Sequence, residues 1–183
     1  MYSHQLAKAA GVTPAQVRRD MMDIGYNGSP IHGYNVTELI KSIDDFLDAP
    51  EGQRAMLVGI GNLGRALISY FAGRRPQLTL VAAFDRDPRK VNRVIHGTRC
   101  YPDKRIAKVV KAKGISIAII AVPASEAQAV AKKCVKAGIK GILNFAPVPL
   151  HVPEHIYVLD TDISMALEKV AFFARNKRRR SGV

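Results

Sequence analysis

The sequence predicts an α/β protein in two parts. A small helix-rich domain occupies residues 1–50, and a mostly parallel sheet with helices on both faces follows from residue 54. Three observations predict this. From Ala55 onward, short runs of Val, Ile, Leu and Ala alternate with stretches of helical periodicity, as expected of strands buried on both faces. The first of those runs opens into "GIGNLG", a glycine-rich turn between a strand and a helix. Ahead of it, "SHQLAKAAGVTPAQVRRDMM" reads as two short helices joined at Gly11.

In chain order, Ser3 is the expected cap of a first helix ending at Ala10, and Gly11 makes the turn. Thr13 is a good N-cap and Pro14 suits the first helical position, so a second helix is predicted over 14–22. Ala7, Ala10 and Val12 are expected to pack against Val17 and Met21. That leaves Ala15, Gln16, Arg18 and Arg19 exposed, side chains that suit a DNA groove: glutamine reads an adenine edge, and arginine holds guanine or phosphate. The alternative is a solvated face in which Arg18 and Arg19 sit among Asp20 and Asp23. "GYNGSPIHGYN", residues 25–35, predicts a hairpin or wing with His32, Gly33 and Tyr34 near its end. Asn35 then caps a helix to residue 48, whose Leu39, Ile43, Phe46 and Leu47 form a one-sided stripe expected to pack on its own domain. "APEGQ", residues 49–53, reads as a linker.

The second part predicts strands at 54–60, 78–85, 115–123, 139–147 and 154–162, with helices at 62–74, 102–114, 125–138 and 163–177 and a basic tail over 178–183. In "GIGNLG", Gly59 permits the tight turn, Gly61 lets the backbone approach a pyrophosphate, and Gly64 lets the helix pack on the strand. The helix start offers free N–H groups and partial positive charge to the phosphates. Asp85 closes the next strand 21 residues after Gly64. A carboxylate there accepts from the adenosine ribose hydroxyls and repels a 2′-phosphate. The pattern predicts NAD, with Arg86 and Arg89 keeping NADP as a minority option. A dehydrogenase needs a proton-exchanging group, yet His4, His32, His96, His151 and His155 form no catalytic constellation, and no substrate domain is expected after the last helix.

The net charge of +13 suggests a polyanionic partner, but it is unevenly placed. Residues 1–50 carry four basic and six acidic side chains, a net of −2, whereas residues 51–174 carry 19 basic and nine acidic, a net of +10. The segment expected on DNA is therefore not the basic one. No run approaches the roughly 18 apolar residues of a membrane span. No signal-peptide pattern follows Met1, so a cytoplasmic protein is expected. Cys100 and Cys134 match neither a zinc spacing nor a CxxC pair; they read as ordinary thiols, and no metal site is predicted.

Together the two halves become specific. "GVTPAQVRRDMMDIG", "GYNV", "GIGNLGRALISYF", "AFDRDPRKV", "AVPA", "GIKGILNFAP" and "LDTDISMALEKVAFF" follow one another in the order and spacing of the Rex family of redox-sensing transcriptional repressors, which the chain resembles over nearly its full length. The resemblance implies a homodimer with a winged-helix domain on a palindromic operator, double-stranded DNA. A Rossmann-like parallel sheet then binds NADH or NAD⁺, and a C-terminal domain-swapped helix over 163–177 has Met165, Leu167, Val170, Phe172 and Phe173 buried by the partner subunit. It implies that NADH favours a closed dimer that leaves DNA. By the same resemblance, Gly59, Gly61, Asn62, Leu63 and Gly64 form the pyrophosphate loop and Asp85 is the ribose carboxylate. Pro123, Ala124, Asn144 and Phe145 belong to cofactor-binding loops at strand ends, and Tyr70 and Asp162 take part in the switch. Two departures stand out. The family carries a further helix ahead of "SHQLAKAAG", so the first domain is expected to be N-terminally incomplete. Its wing usually holds a basic residue where this one offers only His32. An NAD-dependent oxidoreductase, a CoA-binding Rossmann module and a thiol sensor using Cys100 or Cys134 are the competing readings.

Overall fold

A computed structural model describes residues 1–29, 31–47, 52–73 and 77–180, and the chain divides into two units, Met1–Gly52 and Gln53–Val183. In the first unit, α1 (Ser3–Ala10) ends at Gly11, whose φ of +69° is a left-handed cap suited to glycine. Helix α2 (Pro14–Asp23) starts as predicted: the Thr13 hydroxyl accepts from the Gln16 amide at 3.2 Å, and Pro14 takes the first position. The cap of α1 is Tyr2 rather than Ser3. Gln5 lies three residues beyond Tyr2 and accepts from its backbone N–H at 2.9 Å, which draws Ser3 into the helix. Helix α3 (Val36–Leu47) is capped by Asn35, whose side-chain oxygen accepts from the Thr37 amide at 3.0 Å.

The core of this unit is small. Ala7, Val17 and Leu39 are its buried apolar residues among those described. The expected packing of Ala10 and Val12 does not occur, and both are exposed. The stripe on α3 is likewise only partly used: Leu39 is buried and Ile43 half-buried, but Phe46 is 59% exposed. Ile40 is also exposed, at 54%. The side chain of Leu47 and the linker residues 48–51 lie outside the described residues. The wing is reduced to one antiparallel bridge, in which Ser29 and Gly33 exchange backbone bonds of 2.7 and 2.8 Å. Met1 braces it: the Tyr34 amide donates to the Met1 carbonyl at 2.6 Å, and the Met1 ammonium donates to the Tyr34 carbonyl at 2.8 Å.

The second unit runs β1 (Gln53–Val58), α4 (Asn62–Phe71), β2 (Leu78–Asp85), β3 (Val94–Ile95), β4 (Thr98–Pro102), a 3-10 turn at Asp103–Arg105, α5 (Ile106–Lys113), β5 (Ile117–Ile120), α6 (Ala124–Lys136), β6 (Gly141–Asn144), β7 (Tyr157–Asp160) and α7 (Ile163–Arg180). The sheet order is β3-β4-β2-β1-β5-β6-β7, parallel throughout except for the antiparallel β3–β4 pair. Residues of β1 alternate between two core layers. Met56 and Val58 join Phe84, Val110 and Ala131 on the face covered by α5 and α6, and Leu57 joins Ile68, Ala83 and Ile119 under α4.

Three elements differ from expectation. The β3–β4 hairpin was not predicted; its tip places His96 and Gly97 at φ of +44° and +80°, the two-residue turn that fits the twist of paired strands. β7 is an edge strand, with Tyr157 71% exposed, rather than one buried on both faces. Helix α7 continues to Arg180 and takes in the start of the expected tail; Lys and Arg are good helix formers and suit the negative end of the helix dipole. Residues 181–183 lie outside the described residues.

Candidate functional site

In an open parallel sheet, ligands bind beyond the carboxyl ends of the strands where the winding reverses. Here that point lies between β1 and β5, since the chain builds outward from β1 through β2 to β4 on one side and then crosses back by α5 to lay β5 on the other. The loop after β1 falls at this point, and its three glycines divide into two kinds. Gly59 has a φ of +98°, and a Cβ on it would collide with the Ala121 carbonyl; Gly64 is buried, and a Cβ there would drive into the Gly59 carbonyl. These two are required by the chain itself. Gly61 is different: nothing lies within 4 Å of where its Cβ would sit. The open side of Gly61 is what the close approach of a pyrophosphate demands. Asn62 and Leu63 open α4 beside it, and both are exposed.

A cleft of about 470 Å³ extends from this loop, lined by Gly59, Ile60, Gly61, Asp85, Arg86, Lys90, Val122, Pro123, Ser125 and Glu126, among others. Asp85 sits at the end of β2 and ties the cleft together. Its Oδ2 accepts from the Ile60 amide at 2.8 Å and from Lys90 Nζ at 3.3 Å, and its Oδ1 accepts from the Asp87 amide at 2.9 Å. Burial raises its pKa, but the Asp87 and Ile60 amides and the Lys90 ammonium outweigh burial and hold it below the ordinary carboxylate value. Asp85 thus stays ionised and also fixes the glycine loop. Arg86 is ion-paired with Glu126 in the first turn of α6, and Arg89 is paired with Asp87 at 3.0 Å, which pushes Asp87 down to about 2. Both cations that kept NADP open are therefore already engaged by carboxylates. Lys90, Asp103, Ser125, Glu126 and Lys133 were not singled out from the sequence; the run "DRDPRK" after β2 was the available signal for Lys90.

The remaining expected residues fall elsewhere. Ala124 is exposed at the start of α6. Asn144 is fully buried, and its amide is spent on its own loop. Nδ2 donates to the Val148 carbonyl at 2.8 Å and to Asp160 Oδ1 at 2.7 Å, and Oδ1 accepts from the Ala146 amide at 3.0 Å. Phe145 is half-buried against the core layer under α4. Asp162 accepts from the Met165 amide at 3.0 Å and so caps α7, beside a hollow of about 320 Å³ that it shares with Pro147 and Met165. Tyr70 is 55% exposed on α4, edge-on to Phe71. Along α7, Met165, Leu167, Val170, Phe172 and Phe173 are all exposed in the single chain.

In the first unit, a concavity of about 610 Å³ lies between α2 and the wing, lined by Ala15, Arg18, Arg19, Tyr26, Gly28 and Tyr34, among others. Gln16 is held by its neighbours: Nε2 donates to Asp20 at 2.6 Å, and Oε1 accepts from Arg19 at 2.8 Å. Thr13 is occupied as the cap of α2. Gly33 is fixed by close approach to Met1, and His32 is exposed at the wing tip.

No group of His, Cys, Asp and Glu able to hold a metal occurs among the described residues. Cys100 and Cys134 are buried in the two different core layers, and burial pushes their thiols up to about 11 and about 12. A thiol in that state is not a reactive nucleophile, which weighs against a thiol sensor.

The geometry defines a class: a dinucleotide-binding Rossmann unit carried in one chain with a helix-turn-helix and a short wing. Residues 50–148 match the CoA binding domain family. The redox-sensing transcriptional repressor Rex of Desulfitobacterium hafniense is 38% identical over 176 residues, which is 96% of this chain and 84% of that protein. The crystal structure of the Rex-family repressor RSP with beta-NAD⁺ and operator DNA superposes with a TM-score of 0.88 at 29% identity, covering 99% of this chain and 83% of that one. The structure of RSP with beta-NADH gives a TM-score of 0.86 at 28% identity, covering 99% and 84%. The chain belongs to the Rex family of redox-sensing transcriptional repressors.

Proposed function

We propose that this protein is a homodimeric, cytoplasmic repressor that binds palindromic operator DNA through residues 1–50 and is released when NADH enters the cleft beside Gly61. It acts as a regulator, not an enzyme. The observation that carries this reading is the open side of Gly61 at the winding reversal, facing the ionised Asp85, in a chain that also presents a helix-turn-helix.

Gly61 and the first turn of α4, with Asn62 and Leu63, would hold the pyrophosphate, and Asp85 the adenosine ribose. Pro123 and Ala124 would border the dinucleotide at the start of α6. Bound there, the dinucleotide supplies a nicotinamide ring that is neutral when reduced and cationic when oxidised. An apolar surround such as Phe145 takes the neutral ring at lower desolvation cost. Asn144 shapes the loop that carries Phe145 rather than touching ligand. Asp162, as the cap of α7, and Tyr70 are placed to transmit the change. The exposed apolar row of α7 supports a helix covered by a second subunit. For the switch to work, NADH must bind the DNA-free form better, by a coupling of about 1–3 kcal/mol.

Nicotinamide fluorescence of the purified protein titrated with NADH tests the cleft, with NAD⁺, NADPH and CoA as competitors. The reading expects saturable NADH binding, displacement by NAD⁺, and displacement by NADPH at least about tenfold weaker, since each 1.4 kcal/mol of discrimination is tenfold. Tight CoA binding with no NADH binding would overturn it in favour of a CoA module.

A further inference from the structure

The positive charge that lies outside the helix-turn-helix is concentrated on one face of the second unit. Between Lys104 and Lys140 stand nine lysines and arginines against one carboxylate, Glu126, which is already paired with Arg86. Helices α5 and α6 pack side by side and turn Val109, Val110, Ala131 and Cys134 into the same core layer, so their outer faces meet solvent together. On that side, Lys104 in the 3-10 turn leads into Lys108 and Lys111 on α5, and Lys132 and Lys136 follow helical spacing along α6; all five are exposed. The Lys133–Asp103 pair, at 2.6 Å, joins the two rows.

Like charges three and four residues apart repel along a helix, and solvated faces ordinarily interleave both signs. This face does not. Next to the α6 row, Lys132, Lys136 and His151 wall a hollow of about 410 Å³. Its loop is braced on α6, because the Gln128 side chain and the His151 backbone exchange two hydrogen bonds of 2.9 Å. No large apolar side chain between residues 104 and 140 is exposed, so the face lacks the apolar half that insertion into a membrane surface requires.

We propose that the α5–α6 face binds the phosphate backbone of duplex DNA without reading sequence. It would supply the electrostatic hold that residues 1–50, with their net charge of −2, do not. The proposal rests on the reading of this chain as a DNA-binding repressor and adds a second contact surface to it.

The test neutralises four cations in the full chain, Lys108→Gln, Lys111→Gln, Lys132→Gln and Lys136→Gln. A matched control, outside residues 1–50 and α7, carries Arg54→Gln, Arg89→Gln, Arg93→Gln and Arg99→Gln. Affinity for a random duplex of about 30 base pairs is followed from about 50 to about 200 mM salt, and operator affinity is measured alongside. The expected result is a log–log salt slope shallower by about 3 to 4 in the first variant alone. Random and operator duplexes should weaken by the same factor, with NADH affinity unchanged. An unaltered slope, or an equal change in the control, overturns the proposal. So does loss of binding to phosphatidylserine vesicles with duplex binding intact, which would assign the face to lipid. A wild-type chain with no preference for operator counts against the repressor reading, while the random-duplex slopes still decide this one.

Discussion

The first unit buries Ala7, Val17 and Leu39, whereas the second buries two full layers, one running from Met56 to Ile156 and the other from Leu57 to Ile119. The first is held largely by directional bonds: the Thr13 cap, the Gln5 bond to Tyr2, and the paired backbone bonds of Met1 with Tyr34. The second is held by side chains packed on both faces of a sheet. A small core leaves little stability in reserve, so the first unit opens more readily than the second.

The largest effect should come from Leu39→Ala. Loss of a buried leucine costs about 3 kcal/mol, which the small core formed among the described residues by Ala7, Val17 and Leu39 cannot absorb. Hydrogen exchange should show protection lost across α1 to α3 and retained in β1 and β5. Equal loss in both units would erase the contrast between them.

Next come the glycines. Gly59→Ala should destabilise the second unit by about 2 kcal/mol, because it combines a collision with a left-handed backbone. Gly61→Ala should leave the melting temperature unchanged and weaken NADH by roughly tenfold or more, since its methyl would occupy ligand space. Thermal melts and NADH titrations of the two variants separate the roles. If Gly61→Ala melts like Gly59→Ala, the open side is structural.

Asn144→Ala should cost about 2 kcal/mol in denaturant melts of the second unit, because it strands buried partners at Ala146, Val148 and Asp160. NADH affinity should fall less than with Asp85→Ala. A larger loss of affinity than of stability would return Asn144 to the ligand contacts first expected of it.

The smallest effect is on pH dependence. The folded pKa of Asp85 lies below its ordinary value of 3.8. Its contribution is therefore complete above that value and is lost as pH falls through the folded pKa. Asp85→Asn should lower the urea midpoint near neutrality and flatten the acid limb of its profile, so that the variant converges on wild type below about pH 4. An acid limb identical to wild type would mean that the Ile60 and Asp87 bonds to this carboxylate contribute nothing.

Much of the site was legible because its chemistry is local. The sequence places Asp85 at the end of an apolar run, and β2 occupies Leu78–Asp85 as predicted. Gly64 is dictated by the Gly59 carbonyl five residues away, and Gly59 by its left-handed backbone as well as by the distant Ala121 carbonyl. What was hidden depends on distant partners. The β3–β4 hairpin hangs on two left-handed residues, one of them the non-glycine His96. Glu126 meets Arg86 across 40 residues of sequence, and Asn144 reaches Asp160 from a neighbouring strand. Phe46 read as core because its spacing is right, but a stripe is buried only where something lies opposite it. A cofactor residue matched by resemblance alone, such as Ala124, has a place in the fold but no separate geometric mark of function.

The most direct test of coupling between the two units is fluorescence anisotropy of a labelled palindromic operator with this chain, at fixed salt, titrated with NADH and then with NAD⁺. The account predicts binding that NADH reverses at concentrations near its own affinity for the cleft and that NAD⁺ leaves largely intact. Operator binding that responds identically to both forms, or no operator binding at all by a chain that binds NADH normally, would contradict it.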